Sequence, residues 1–162
     1  VQAQTDALTG LGNRLRLSRA IQALLEASSP FALLFLDLRK FKPFNDNHGH
    51  EVGDKVLQIV AKRLQKQVRS ADLAARLGGD EFLLLLDGLV DIELLKQRAA
   101  AVANSIARPF RIGELSSSVE ANIGGAIYPR DGNTEEALLK VADRHMYQAK
   151  QTDVAYYVGE PD

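Results

Sequence analysis

The feature that most constrains this chain is the run from Phe31 to Leu36, where every residue is apolar and the next one is Asp37. Strict alternation would mark a strand with one wet face. This run has none, and it is too short for a buried helix, so it predicts a central strand covered on both faces. A strand that is dry on both sides needs layers packed above and below it. The flanking patterns can supply them. Leu17, Ala20, Ile21, Leu24 and Leu25 recur at helical spacing until Ser28, Ser29 and Pro30 stop the run. Val52, Val56, Val60 and Leu64 form the stripe of a second helix that closes near Arg69. Leu94, Leu95, Ala99, Val102 and Ile106 mark a third between Asp91 and Pro109, and Leu138, Val141, Ala142, Met146 and Ala149 mark a last one capped by Thr134. Further strands are expected at Leu73 to Leu77, Phe82 to Leu86, through Val119, Ala121 and Ile123, and at Val154 to Val158. The order is mixed α/β, with one sheet and helices packed on it.

Composition narrows the function classes. The chain has 162 residues, and 46% hydrophobic with 25% charged content is that of a single folded domain over residues 1–162. Its 20 Lys+Arg against 21 Asp+Glu give a net charge of -1, so no general attraction for nucleic acid is expected and any anion site must be local. No apolar run reaches the length of a membrane span, so no membrane contact by this domain is expected. The absence of cysteine removes disulfides, thiolate metal sites and cysteine nucleophiles together. Val1 is not a start methionine, which suggests a piece of a longer protein, with the cytoplasm, or the cytoplasmic part of a membrane-bound sensor, as the expected compartment.

Two features carry chemistry. Asp37 ends the buried strand, and Gly78-Gly79-Asp80-Glu81-Phe82 places an acidic pair on a glycine turn between two short strands. If those strands pair, the carboxylates converge. They then repel unless one is protonated or a cation lies between them, and oxygen-only ligands suit magnesium with substrate phosphates. The alternative is that Asp37 only caps a strand end and that Asp80 and Glu81 are solvated turn residues.

Residues 78–82 spell the signature of the GGDEF diguanylate cyclase family, and the resemblance extends along the chain. Asp6 to Arg14 resembles the family's opening segment, Phe41 to His50 with Gly53 and Asp54 resembles its guanine-binding stretch, and Ala142, Asp143 and Met146 to Lys150 match its last helix. The resemblance implies an α/β (α+β) fold with a central mixed five-stranded sheet surrounded by helices, similar to polymerase palm and class III nucleotidyl cyclase domains. It also implies condensation of two GTP into cyclic di-GMP by a homodimer, each subunit presenting one GTP. Asp37, Asp80 and the carbonyl of Leu38 would hold two magnesium ions, with manganese as a substitute. Glu81 would serve as base for the 3′-hydroxyl or as support for the metal. Asn45 and Asp54 would read guanine. Lys42, Lys150 and main-chain N–H groups from Lys40 to Lys42, Phe41 included, would meet the phosphates. Arg69 and Asp72 match the RxxD pattern of a product-inhibition site facing away from the GTP cleft, where arginine pairs phosphate or guanine acceptors and Asp72 accepts from guanine N–H groups. A second arginine on the next helix is common in the family; the nearest here is Arg98. Asn47, His48 and His50 read as structural.

The chain departs from the family pattern twice. A second aspartate commonly stands two residues after the first metal ligand, where this chain has Arg39, and an arginine commonly follows the last helix, where it has Val154. A cation at 39 weakens metal binding or reaches a phosphate. These departures support a competing reading, a regulatory module that binds GTP or cyclic di-GMP without catalysis. A third reading, a cyclase making mixed or single-nucleotide cyclic products, conflicts with Asp54.

Overall fold

The computed structural model describes residues 3–159. In chain order the elements are α1 (Arg14–Glu26), β1 (Phe31–Leu38), α2 (Phe41–His48), α3 (His50–Lys66), β2 (Leu73–Gly78), β3 (Glu81–Asp87), α4 (Ile92–Ala107), β4 (Phe110–Ile112), β5 (Leu115–Ser117), β6 (Ala121–Tyr128), α5 (Glu135–Gln151) and β7 (Tyr156–Tyr157). The five-stranded sheet runs β2-β3-β1-β6-β7. The apolar run is its middle strand, antiparallel to β3 on one side and to β6 on the other, and β7 is parallel to β6. The expected mixed five-stranded sheet is therefore present.

Period-two alternation explains why this run needed to be apolar throughout. Ala32, Leu34, Leu36 and Leu38 face one layer, where they join Val56, Val60 and Leu64 of α3 and Leu95, Ala99 and Val102 of α4. Phe31, Leu33 and Phe35 face the other, with Leu17 and Ile21 of α1 and Leu138, Ala142 and Met146 of α5. A polar residue at any of these places would lose its water without gaining a partner, so the first one allowed is Asp37, where the layers end.

The helix expected from Val52 is preceded by a separate one. α2 carries Pro43 in its first turn, where no N–H is needed, and Gly49 (φ +89°) separates it from α3. Its apolar side is short, with Phe44 set against Phe41 and Phe110, which leaves no long stripe for periodicity to detect. The small β4–β5 ribbon was also not anticipated. Val119 is buried, but the strand through it begins only at Ala121 and runs on to Tyr128, and the last strand shrinks to Tyr156–Tyr157.

Candidate active site

Asp37 lies opposite Glu81 on β3 and Asn122 on β6, so three polar side chains form one row across the three central strands. Asp80 reaches the same place from the turn. Gly78 (φ +139°) and Gly79 (φ +52°) take backbone conformations that a Cβ would strain, and these bend β2 back into β3. The Leu38 N–H donates to the Asp80 carbonyl at 3.3 Å, which ties the turn to the end of β1. Arg76 braces the turn from behind, donating to the Gly79 carbonyl (2.9 and 3.0 Å) and to Asp6 (3.1 Å). Asp6 is itself held by the Thr9 main chain and hydroxyl. The opening segment thus anchors the hairpin tip, a role for Arg76 that motif reading missed and that an arginine two residues before a double glycine could have signalled.

The electrostatics of this row are unbalanced. The Asp37 and Asp80 carboxylates are close enough to share a hydrogen bond, and burial, followed by the charge of Asp37, pushes Asp80 up to about 6. Burial, then Asp37 and Asp143, also raises Glu81, against the pull of Arg14 and Lys150. Lys150, in the last turn of α5, brings its Nζ to 3.2 Å from Asp37 Oδ2. Lys150 and the Arg14 guanidinium do not neutralise Asp37, Asp80, Glu81 and Asp143. The donor set is hard oxygen with surplus negative charge, which fits a divalent cation such as magnesium. Among the described residues no group of three or more His, Asp or Glu side chains is arranged to hold a metal.

Asn122 was absent from the sequence reading. It is fully buried, its Nδ2 donates to the Val154 carbonyl at 2.9 Å, and its Oδ1 has no hydrogen-bond partner among the described residues. Arg39 binds Asp153 at 2.6 Å and Glu120 at 3.4 Å, so its charge is drawn to the turn after α5 and to the start of β6.

The α2–α3 corner holds the expected base-binding pair. Asn45 packs directly on Gly53, where even a methyl group would overlap its Oδ1, and Asp54 follows Gly53 in the first turns of α3. Phe41 lies half-buried beside them. Lys40 adopts a left-handed backbone (φ +56°) that turns the chain from β1 into α2, placing the N-terminus of α2 directly after the carboxylate strand, while Lys42 is exposed.

A second constellation lies at the other end of the hairpin. Arg69 donates to both Asp72 oxygens (2.9 and 3.1 Å) and to the Asp87 carbonyl, and the Asp87 N–H donates to Asp72. Arg98 stands 3.8 Å from Asp72, so the register left open by the sequence brings it into this cluster. The Asp72 side chain has 0% exposure and Arg69 56%, which makes the guanidinium the outward group and the carboxylate its holder. Burial pulls Asp72 up, but hydrogen bonds from Arg69 and Asp87 outweigh it and hold the carboxyl below its usual range.

The family described as "Diguanylate cyclase, GGDEF domain" matches residues 3–154. The diguanylate cyclase TpbB of Pseudomonas aeruginosa is 43% identical over 155 residues, covering 93% of this chain and 36% of that protein. The bifunctional diguanylate cyclase/cyclic di-GMP phosphodiesterase MucR of the same species is 42% identical, covering 90% of this chain and 22% of its own length. The chain thus spans well under half the length of these curated relatives. The solved GGDEF domain of TpbB superimposes with a TM-score of 0.87 at 40% identity, over 96% of this chain and 94% of that one. The GGDEF domain of DgcB from Caulobacter crescentus, solved in complex with c-di-GMP, gives 0.84 at 25% identity, over 98% and 96%.

Proposed function

The chain belongs to the GGDEF diguanylate cyclase family, and from that premise we propose that this single module condenses two GTP into cyclic di-GMP with release of two pyrophosphates. The observation that carries the reading is the under-neutralised pair Asp37 and Asp80, with Asp80 pushed up to about 6. A site that keeps two carboxylates in contact at a cost in repulsion is prepared for a cation that its substrate brings. Magnesium held by Asp37, Asp80 and the Leu38 carbonyl would neutralise triphosphate charge and polarise the α-phosphoryl group.

The remaining steps fall to the chain's own residues. Lys150 faces Asp37 and supplies a positive charge for the phosphates, joined by Lys42 and by the main-chain N–H groups that open α2, Phe41 among them. Asn45 and Asp54 read guanine at the α2–α3 corner. Glu81, raised by burial and by neighbouring carboxylates, is suited to take the proton of the attacking 3′-hydroxyl or to support the cation from the row beside Asp37. Each 3′-oxygen attacks the α-phosphorus of the other GTP and pyrophosphate departs, so two copies of the domain must face each other. Arg69, presented by Asp72 and flanked by Arg98, takes the phosphates or guanine acceptors of the product.

Incubating the domain with GTP and magnesium and separating the products by chromatography tests the reading. Cyclic di-GMP is expected, and its absence even from a forcibly dimerised domain would overturn catalysis. The competing role, a GTP or cyclic di-GMP receptor, is favoured by the turn after α5, where Val154 stands and Arg39 is tied to Asp153. Calorimetry separates the two sites: Arg69→Ala is expected to weaken cyclic di-GMP binding while leaving initial turnover nearly unchanged.

A further inference from the structure

Resting on the base-site reading above, we propose that His50 is a positioning residue that fixes which end of the Asn45 amide meets the base, making the exocyclic amine of guanine the group Asn45 reads. The two ends of an asparagine amide have nearly the same shape and opposite hydrogen-bonding character. An amide free to turn over would accept from guanine in one orientation and donate to another base in the other. Selectivity therefore needs something that holds it.

Asn45 Nδ2 lies 2.9 Å from His50 Nδ1. An amide nitrogen can only donate, so Nδ1 must offer its lone pair and the ring proton must sit on Nε2. The reversed amide would need a proton on Nδ1 instead. With its nitrogen held by His50, Asn45 turns its oxygen to Gly53, where the missing side chain leaves room for the close approach. Asp54 follows directly and adds two more acceptors. The Asn45 oxygen and the Asp54 carboxylate are then the acceptors the corner offers to a base. Guanine matches them with N1–H and a 2-amino group, adenine has an acceptor at N1 and no 2-amino group, and hypoxanthine keeps N1–H but lacks the amine. His48, by contrast, packs its ring on Phe44 with centroids 4.5 Å apart and serves α2 itself.

Binding of GTP, ITP and ATP to the unmodified domain, His50→Phe and His50→Gln decides the matter. His50 is exposed, so neither substitution opens the core. The preference for GTP over ITP is expected to fall about three- to tenfold in His50→Phe, the range for one hydrogen bond, with ITP affinity nearly unchanged. In His50→Gln a side-chain oxygen can again accept from Asn45 Nδ2, and the preference is expected to return. An unaltered GTP/ITP ratio in His50→Phe, or an equal loss for both nucleotides, would overturn the proposal. Equal binding of GTP and ATP by the unmodified domain would remove the base-site reading, and the proposal with it. Nitrogen NMR of the nucleotide-free domain gives an independent arm: an unprotonated Nδ1 on His50 is expected, and a protonated one overturns the assignment whatever the nucleotides do.

Discussion

Asp80 at the turn of the β2–β3 hairpin and Asp72 at its open end are separated by the length of β3, about 20 Å at strand rise, and they show what two kinds of neighbour do to the same side chain. Asp72 is covered, doubly bonded by Arg69, bonded by the Asp87 N–H and approached by Arg98, and its carboxyl is held below the usual range. Asp80 is half-buried against Asp37, with no cation among the charges that act on it, and is pushed up to about 6. One end of the hairpin completes its electrostatics within the chain, while the other keeps a surplus of negative charge. A carboxylate that costs stability persists where function uses it, and a satisfied one serves to aim its partner, here Arg69.

The sharpest break in this comparison is Asp37→Ala or Asp80→Ala. Removing one of the two proposed carboxylate ligands should lower cyclic di-GMP formation by at least about a hundredfold, measured as product released under saturating magnesium. Binding of cyclic di-GMP at Arg69 should survive, because that cluster draws nothing from the turn. If both activities fell together, the two ends of the hairpin would not be independent.

Next in size is the effect on stability, where the two aspartates should behave oppositely. Asp72→Asn leaves Arg69 and the Asp87 N–H poorly paired around a covered site and should destabilise the domain by about 1–3 kcal/mol in urea titrations. Asp80→Asn should raise the melting temperature of the metal-free domain at pH 7, since it removes a repulsion and no pairing. The pH dependence carries the same contrast. A carboxyl raised in the folded state favours folding below its unfolded pKa and loses that contribution as pH rises from about 4 through about 6, so the advantage of Asp80→Asn should appear across that window and disappear below it. A lowered carboxyl such as Asp72 favours folding above its unfolded pKa and loses the contribution as pH falls through the lower folded value. Magnesium should raise the melting temperature of the unmodified domain and leave Asp80→Asn nearly unmoved. A melting profile of Asp80→Asn that tracks the unmodified domain from pH 4 to pH 7 would show that the repulsion is not there.

How much of this was legible in the sequence follows from which forces write themselves into local pattern. The apolar run predicted the dry central strand because burial on two faces permits no polar residue there, and the double glycine predicted the turn because few other residues adopt its backbone. α2 was invisible because an eight-residue helix with Pro43 in its first turn has neither a long stripe nor high propensity. The Arg76–Asp6 contact, Asn122 and the Arg39–Asp153 pair were invisible for another reason: these partners lie far apart in the chain, and a long-range hydrogen bond leaves no periodic trace. Arg98 falls between these cases. Its presence on the third helix was readable, but only the packing of α4 beside α3 brings it to Asp72.

The smallest effect concerns Arg39, the residue that breaks the family pattern beside the cleft. Its side chain is 29% exposed and that of Asp153 is 76% exposed, and water screens such a pair even at 2.6 Å, so it should contribute no more than about 1 kcal/mol. The turn it holds has other support. Val154 N–H donates to the Ala149 carbonyl, the Val154 carbonyl accepts from Asn122, and Lys150 reaches Asp37 from the helix itself. Arg39→Ala and Asp153→Ala should therefore each change GTP turnover by only a few-fold. Together they should cost about as much as either alone, because both remove the same contact. That expectation treats Arg39 as part of the rim. If Arg39→Ala instead approached Asp37→Ala in severity while Asp153→Ala left turnover intact, the guanidinium would be acting on the substrate and not on the turn. The cation that stands in place of the usual aspartate would then be replacing the arginine missing at position 154.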